Sequence, residues 1–141
     1  YMLGYIYELY NNYFSEPHKF YYLSLIREND KSISIHGLWP QYSLVSYPTY
    51  CKTVQFDISK LDLIIKDLNK FWYANKNSNE EFWKHEYEKH GTCMFSDLTE
   101  FEYFNKTLAL YKEALDKKIY ENYEEKNNRI MIPISLDFKF I

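Results

Sequence analysis

The chain has 141 residues, a formal net charge of −3 at pH 7 and 46% hydrophobic residues, which together suit one globular domain spanning residues 1–141. The charge excludes the broad basic surface of many duplex-binding proteins, and three glycines and four prolines exclude a collagen-like or low-complexity chain. Any contact with nucleic acid should be short and should strengthen towards pH 5, because protonation of the four histidines would reverse the sign of the net charge.

No run of about eighteen apolar residues occurs, so the sequence predicts no membrane-spanning segment. The opening residues lack the basic region and small-residue cleavage site of a signal peptide, so none is expected within this chain. Cys51 and Cys93 allow a single bridge and form no CxxC motif. Their even number favours an oxidising compartment, although these observations alone leave the pairing open.

In chain order, residues 3–14 carry apolar side chains at helical spacing and are predicted as a helix. Residues 20–26 and 32–35 are predicted as two strands separated by a turn, which would place His36 directly after a strand. Residues 37–55 contain two prolines and several serines, and they predict a long loop. Loops of that length within compact domains are often functional.

The second half of the chain is predicted to contain three helices and a closing strand. A helix capped by Asp57 should continue to residue 73, with its apolar stripe facing the core. Capping-box patterns predict helices that begin at Ser78 and Thr99, the first ending near Gly91 and the second near residue 115. After a charged stretch, residues 129–141 alternate in character and are predicted as a strand.

Two short segments hold most of the reactive side chains: residues 36–40 (HGLWP) and residues 82–93 (FWKHEYEKHGTC). They contain three of the four histidines in surroundings dominated by aromatic residues, where such groups are costly unless paired or used. On a helix turning about 100° per residue, one side of the second segment presents groups able to surround a small anion and transfer protons. These groups are His85, Glu86, Lys89 and His90.

Other interpretations of these segments remain open at this point. The Glu–Lys pairs of the second segment also suit a solvated helix surface, and His36 also suits a hydrogen-bonded core histidine. The second segment resembles the zinc motif HExxH, but His85 and His90 are five residues apart and diverge by about 140° around a helix. A zinc site made of His90, Cys93, Cys51 and another histidine is a further alternative, although the cysteines are not closely paired in sequence.

The two segments, in this order and with a cysteine closing the second, closely resemble the active-site segments of the ribonuclease T2 family. Weaker similarity extends to residues 20–25, 103–111 and 131–141, so it covers nearly the whole chain. The resemblance implies an α+β fold in which helices flank a central antiparallel sheet. It also implies a disulfide between Cys51 and Cys93.

The resemblance further implies an endoribonuclease that cleaves single-stranded RNA without a metal or other cofactor, through a 2′,3′-cyclic phosphate, with an acidic pH optimum. By matching position, His90 is expected to be the general base and His36 the general acid. His85, Glu86 and Lys89 are expected to hold the phosphate and stabilise the transition state.

Three further residues are expected to contact the substrate base. Trp39 resembles the family residue that stacks on a base, and Tyr47 is a second stacking candidate. Gln41 stands where many members have an acidic side chain that helps to recognise the base. Because of that departure, and because the chain lacks much of the region before the last strand of larger members, we expect low or moderate base specificity.

The expected partner is single-stranded RNA, with no membrane and no obligate protein partner, and the protein is expected to be a monomer. The expected location is outside the cell or in an endolysosomal or vacuolar lumen, or in a virion if the source is viral. Two other functions remain alternatives: an RNA- or protein-binding module without catalysis, and a metal-dependent hydrolase. Sensitivity to chelators would identify the second.

Overall fold

A computed structural model describes residues 18–141, so the helix predicted over residues 3–14 lies outside the described residues. At the centre of these described residues is an antiparallel sheet of four strands in the order β2-β1-β4-β3. Its strands are β1 (Phe20–Arg27), β2 (Ile33–Gln41), β3 (Glu125–Lys126) and β4 (Arg129–Ile134). Helices flank this sheet, and the predicted α+β class is confirmed.

The α-helices of the described residues are α1 (Ile65–Phe71), α2 (Asn79–Lys89) and α3 (Glu100–Asp116). Short 3₁₀ segments cover Ile58–Ile64, Gly91–Cys93 and Ile119–Asn122. Helix α3 contacts both β1 and β2, while Gly91–Cys93 contacts β2. Within residues 18–141, no helix combines the length and apolar character needed to cross a bilayer.

The predicted helix starts are confirmed because their caps are local. The Ser78 hydroxyl accepts from the Glu81 backbone N–H at 3.1 Å. Thr99 and Glu102 form a reciprocal capping box, in which each side chain accepts from the backbone N–H of the other. Such bonds satisfy backbone donors that have no partner within the helix.

The single helix predicted over residues 57–73 is wrong in its first half, where the chain is 3₁₀ and not α-helical. The Asp57 carboxylate does cap this segment, but it accepts from both the backbone N–H and the hydroxyl of Ser59. Such local side-chain bonds compete with regular α-helix. The α-helical part begins only at Ile65.

The closing strand, β4, is shorter than predicted, and it pairs with a short strand, β3, that was not predicted. Strand β4 ends at Ile134, and the chain then turns so that Phe140 bridges back to Ile134. Before β4, Asn127 and Asn128 both have positive φ values, of 53° and 62°. That conformation makes the tight two-residue turn that joins β3 to β4, for which asparagine is well suited.

A single core fills the space between the sheet and the helices. The inner sheet face contributes buried leucines and isoleucines, while the helices contribute mainly aromatic rings. Trp83 of α2 is almost fully buried and donates its indole N–H to the Trp72 carbonyl at 2.6 Å. Tyr103 and Tyr111 of α3 donate their hydroxyls to the carbonyls of Leu38 and Ile33, which ties α3 to strand β2.

Candidate active site

Strand β2 runs further than predicted, so the segment HGLWP lies within a strand and His36 does not follow one. The strand contains a β-bulge at this histidine. In its pairing with β1, Gly37 lies opposite Ser24 and Ile35 lies opposite Leu25, so His36 is the extra residue. A bulge re-aims side chains and is common beside functional sites. The end of this strand was predicted too early because the bulge interrupts the alternation of buried and exposed residues on which the prediction depends.

The bulge also changes which face of the sheet each later residue occupies. Ile35 and Leu38 are three residues apart, which would place them on opposite faces of a regular strand. Both are nevertheless fully buried in the core, because the bulge shifts the alternation by one residue. As a result, Trp39 and Gln41 lie on the face away from the core residues and line a cleft.

The cleft has a volume of about 400 Å³ and lies between strands β2 and β4 on one side and helix α2 on the other. The structure brings the five histidine, glutamate and lysine side chains singled out from the sequence together in this cleft. The helix wall consists of His85, Glu86, Lys89 and His90. The sheet wall is lined by Tyr22, His36, Trp39, Gln41 and Met131. Gly37 lies beside Trp39 and Glu86, and Arg129 contacts His36, so both are counted with this wall.

His36, on the sheet wall, contacts one charged residue from each wall. Its Nε2 lies 3.8 Å from Glu86 Oε2, and its Nδ1 contacts the guanidinium of Arg129. Burial, together with the positive charges of Arg129, His85 and Lys89, lowers the pKa of His36 to about 4. His36 is therefore a neutral imidazole in the free protein over most of the acidic range.

Glu86 is buried, with 1% of its surface exposed. Its Oε1 accepts a hydrogen bond from Trp39 Nε1 at 2.8 Å, so one contact joins the two walls. Burial raises the pKa of Glu86 to about 7, although the Trp39 hydrogen bond and the charge of Lys89 act in the opposite direction. Below neutral pH this side chain is therefore mostly a protonated acid able to donate a hydrogen bond.

His90 follows the last residue of α2 and is 6% exposed. Its ring stacks on Trp39, with centroids 4.9 Å apart and planes inclined by 24°. Burial, together with the charge of Lys89, lowers the pKa of His90 to about 3. His36 and His90 therefore stay mostly neutral at pH 5 in the free protein, and the expectation that all four histidines become charged by that pH is wrong for these two.

Gly37 permits the close approach of the two walls. A Cβ atom at this position would collide with Glu86 Oε1 and would lie 2.6 Å from Trp39 Nε1. Only glycine leaves room for the hydrogen bond between these two side chains. The sequence predicts no role for Gly37, because the contact that requires glycine joins residues far apart in the chain.

The three residues proposed from the sequence to contact a base all line the cleft. Trp39 is half-buried between the rings of His36 and His90. Gln41 is buried and donates its Nε2 to the carbonyl of Ser43 at 3.0 Å. Tyr47 is more exposed than Trp39 and Gln41. The structure adds further lining residues that the sequence analysis did not single out: Tyr22, Leu44, Val45 and Met131.

A disulfide fixes the loop at residues 42–57 to the end of α2. Cys51 and Cys93 are joined, with their Cα atoms 5.1 Å apart. Beside the bridge, Thr92 Oγ1 accepts from the Cys51 N–H at 3.1 Å and donates to the Glu88 carbonyl at 2.9 Å. The two sulfur atoms form a disulfide and are not free thiolates. The alternative in which they bind zinc therefore does not fit this structure.

The sheet, the flanking helices and the two walls of this cleft define a protein with the ribonuclease T2 architecture. The structure of RNase NT in complex with 5′-AMP superposes with a TM-score of 0.67 at 22% identity, covering 88% of this chain and 89% of that one. At this identity the similarity establishes the fold.

The model of the ribonuclease T2 family matches residues 11–128, and the chain belongs to this family. Ribonuclease 1 of Arabidopsis thaliana is 41% identical over 84 residues, which cover 57% of this chain and 36% of that protein. Extracellular ribonuclease LE of Solanum lycopersicum is 40% identical over 87 residues, covering 58% of this chain and 37% of that protein. The chain thus spans less than two fifths of the length of these relatives.

Proposed function

We propose that this protein is an endoribonuclease that cleaves single-stranded RNA by transesterification, without a metal ion, through a 2′,3′-cyclic phosphate intermediate. The observation that carries the proposal is the convergence of two partly or wholly buried imidazoles, His36 and His90, with Glu86 and Lys89 in one cleft. Its volume of about 400 Å³ is in the range of small-molecule sites and suits a nucleotide. Residues 1–141 form the catalytic domain in this proposal.

His90 is proposed as the general base. Its low pKa keeps the imidazole neutral in acid, so a ring nitrogen can accept the proton of the ribose 2′-hydroxyl. The 2′-oxygen then attacks phosphorus, and the bond from phosphorus to the 5′-oxygen breaks. His36 donates a proton to that leaving oxygen, which gives a 2′,3′-cyclic phosphate and a free 5′-hydroxyl. DNA lacks the nucleophile and should not be cleaved.

His36 has to carry a proton when it acts as the acid, and its pKa of about 4 in the free protein is low for that role. A phosphodiester anion in the cleft raises the pKa of an adjacent imidazole, because the opposite charge stabilises the imidazolium. One neutral and one protonated imidazole are then required together. The mechanism accordingly predicts a bell-shaped rate profile centred on the acidic side of neutrality.

The remaining polar groups of the helix wall are proposed to stabilise the charge that develops on the phosphorus oxygens. Lys89 supplies a positive charge and His85 a ring N–H. Glu86, protonated in acid because of its raised pKa, can donate its O–H to a non-bridging oxygen. An ionised carboxylate at that position would repel the phosphate.

Base recognition is proposed to be loose. Trp39 and Tyr47 offer aromatic faces along the cleft, and stacking contributes about 1–3 kcal/mol per base without selecting a particular base. Because the Gln41 amide nitrogen is bonded to Ser43, its carbonyl oxygen is left to accept a hydrogen bond from a base. A single neutral acceptor discriminates less than a charged carboxylate.

The biological setting follows from the disulfide. Stable disulfides belong to oxidising compartments, so we propose that the protein works outside the cell or in an endolysosomal or vacuolar lumen, or in a virion if its source is viral. A relative named as an extracellular ribonuclease supports this location. Single-stranded RNA is the proposed partner, and the protein is proposed to act as a monomer.

The test is incubation of the purified chain with single-stranded RNA at about pH 5 and pH 7.5 in excess EDTA, followed by mass analysis of the fragment ends. Cyclic-phosphate ends formed preferentially at pH 5 support the proposal, and the bases beside each cut report the specificity. Cleavage that returns only on addition of zinc would identify a metal-dependent hydrolase. Absence of cleavage with retained RNA binding would identify a binding module.

A further inference from the structure

Arg129 is the first residue of β4, and neither segment singled out from the sequence contains it. It pairs with Ile26 of β1, and Ile26 pairs in turn with Ser34 of β2. The Arg129 side chain therefore has to reach across β1 to contact His36, which the bulge of β2 presents on that face. The contact joins residues 93 positions apart in the chain.

The chemistry of this contact restricts the state of His36. A guanidinium has only N–H donors and no acceptor, so the nitrogen it contacts has to offer a lone pair. In neutral His36 that nitrogen is Nδ1, and the ring proton then resides on Nε2. Nε2 is the atom that faces Glu86 across the cleft.

We infer that Arg129 is a positioning residue for His36: its guanidinium keeps Nδ1 as an unprotonated acceptor and directs the Nε2–H into the cleft. The importance of this role for catalysis rests on the proposed function, but the role itself can be tested in the free protein. Directing Nε2 inward places the proton-bearing nitrogen of His36 where the leaving oxygen of a substrate would lie.

The groups that face His36 come from both walls. From the helix wall they are His85, Glu86, Lys89 and His90, and from the sheet wall the charged group is Arg129. His36 also lines a second cavity together with Tyr73 and Lys76. Among the charges that lower the pKa of His36, that of Arg129 has the largest effect. Loss of Arg129 should therefore raise the pKa of His36 while the helix wall stays unchanged.

The decisive measurement is an NMR titration of the full chain without substrate, comparing the unchanged protein with Arg129→Gln and Arg129→Lys. A His36→Ala spectrum assigns the ring signals. We expect Arg129→Gln to raise the pKa of His36 by about half a unit to one unit, because a neighbouring cation is removed. Ring ¹⁵N shifts should show the Nε2–H form in the unchanged protein and a mixture of both tautomers in Arg129→Gln. Arg129→Lys should restore part of the pKa shift.

Arg27→Gln is the matched control, because Arg27 is the other arginine of the chain and pairs with Glu125. It should leave the His36 titration unchanged. An unaltered His36 pKa and tautomer in Arg129→Gln would overturn the inference whether or not the protein cleaves RNA. The titration therefore separates failure of this inference from failure of the proposed function.

If cleavage is observed, kcat/KM should be measured against pH for the same variants. We expect the basic limb of the Arg129→Gln profile to move to higher pH by the same amount as the His36 pKa, because that limb reports the general acid of the free protein. KM at the pH optimum should change less than twofold. A raised KM with an unmoved profile would instead mean that Arg129 binds substrate directly, which contradicts a role exerted through His36.

Discussion

The sheet wall and the helix wall each contribute an imidazole to the cleft, but they hold it in different ways. His36 of the sheet wall is the extra residue of a bulge, retains partial access to solvent and contacts the cation Arg129. His90 of the helix wall is buried at the end of α2 and stacked on Trp39. Burial is the main cause of the lowered pKa of both groups, but the charge of Arg129, from strand β4, contributes only to that of His36. Burial thus keeps both imidazoles mostly neutral, while the pKa of His36 also depends on a charged neighbour that can be changed by mutation.

The strongest test of the two walls is the removal of each imidazole in turn. His36→Ala and His90→Ala should each lower kcat by about 10²–10⁴-fold, the usual contribution of general acid–base catalysis. Initial rates on a defined oligoribonucleotide at the pH optimum measure the effect. His18→Ala, outside the residues that line the cleft, is the control and should keep full activity. Near-full activity in either cleft variant would show that its assigned role is wrong.

The second test removes the covalent support of the helix wall. The bridge between Cys51 and Cys93 closes a loop with a sequence separation of 42 residues. Chain-entropy arithmetic for such a loop gives about 4 kcal/mol, so the double variant Cys51→Ser/Cys93→Ser should unfold at markedly lower urea concentration. Because the bridge is not part of the sheet wall, the NMR signals of His36 should keep their positions below the new midpoint. A midpoint equal to that of the oxidised protein would contradict this role.

The third test places a methyl group between the walls. Gly37→Ala would force a Cβ into Glu86 and Trp39, and overpacking of this kind costs about 1–3 kcal/mol. We expect lower stability together with at least tenfold lower kcat/KM, because the hydrogen bond between the walls has to break. Gly91→Ala is the matched variant: its Cβ would lie 2.6 Å from a ring carbon of Tyr87, away from the Glu86–Trp39 bond. Equal losses of activity per unit of lost stability in both variants would argue against a special role for Gly37.

The smallest expected effect concerns stability against pH. The pKa values of His36 and His90 are lowered on folding, so the unfolded chain binds more protons there and stability falls as pH decreases from about 6.5. The pKa of Glu86 is raised from 4.5 to about 7 on folding, so the folded protein binds more protons at this residue. The stability that Glu86 contributes is therefore lost as pH rises from about 4.5 to 7, which opposes the effect of the two imidazoles.

Glu86→Gln should therefore steepen the dependence of the unfolding free energy on pH between about 5 and 6.5, by up to about 1.4 kcal/mol per pH unit. Urea unfolding at half-unit pH intervals measures the slope. Glu80→Gln, an exposed glutamate of the same helix, serves as the control and should leave the slope unchanged. If Glu86→Gln gave the same slope as Glu80→Gln, the raised pKa of Glu86 would be refuted.

The features predicted from the sequence are those that depend on near neighbours in the chain. The caps at Ser78 and Thr99 lie within three residues of the backbone groups they bind, so the sequence reveals the start of α2 and of α3. The shared side of α2 follows in the same way from helical periodicity, and the structure places His85, Glu86, Lys89 and His90 along one cleft.

The features that were missed depend on contacts between distant segments. The bulge at His36 exists only in the pairing of β2 with β1, and Gly37 matters only because Glu86, 49 positions later, approaches it. The contact of Arg129 with His36 spans two strand pairings. No local pattern encodes these contacts, and the physical reason for each residue becomes visible only once the strands are in register.

The bulge has one more consequence, for behaviour in concentrated solution. Carbonyl groups along a strand point alternately to its two sides, so those of Ile33 and Leu38, five residues apart, would point in opposite directions in a regular strand. The extra residue between them brings both to the same side, where Tyr111 and Tyr103 donate to them. Within residues 18–141 β2 is an edge strand, and these two hydroxyls occupy carbonyls to which a strand of another molecule would have to bond. The bulge that aims His36 into the cleft thus also leaves fewer free carbonyls along the edge of the sheet.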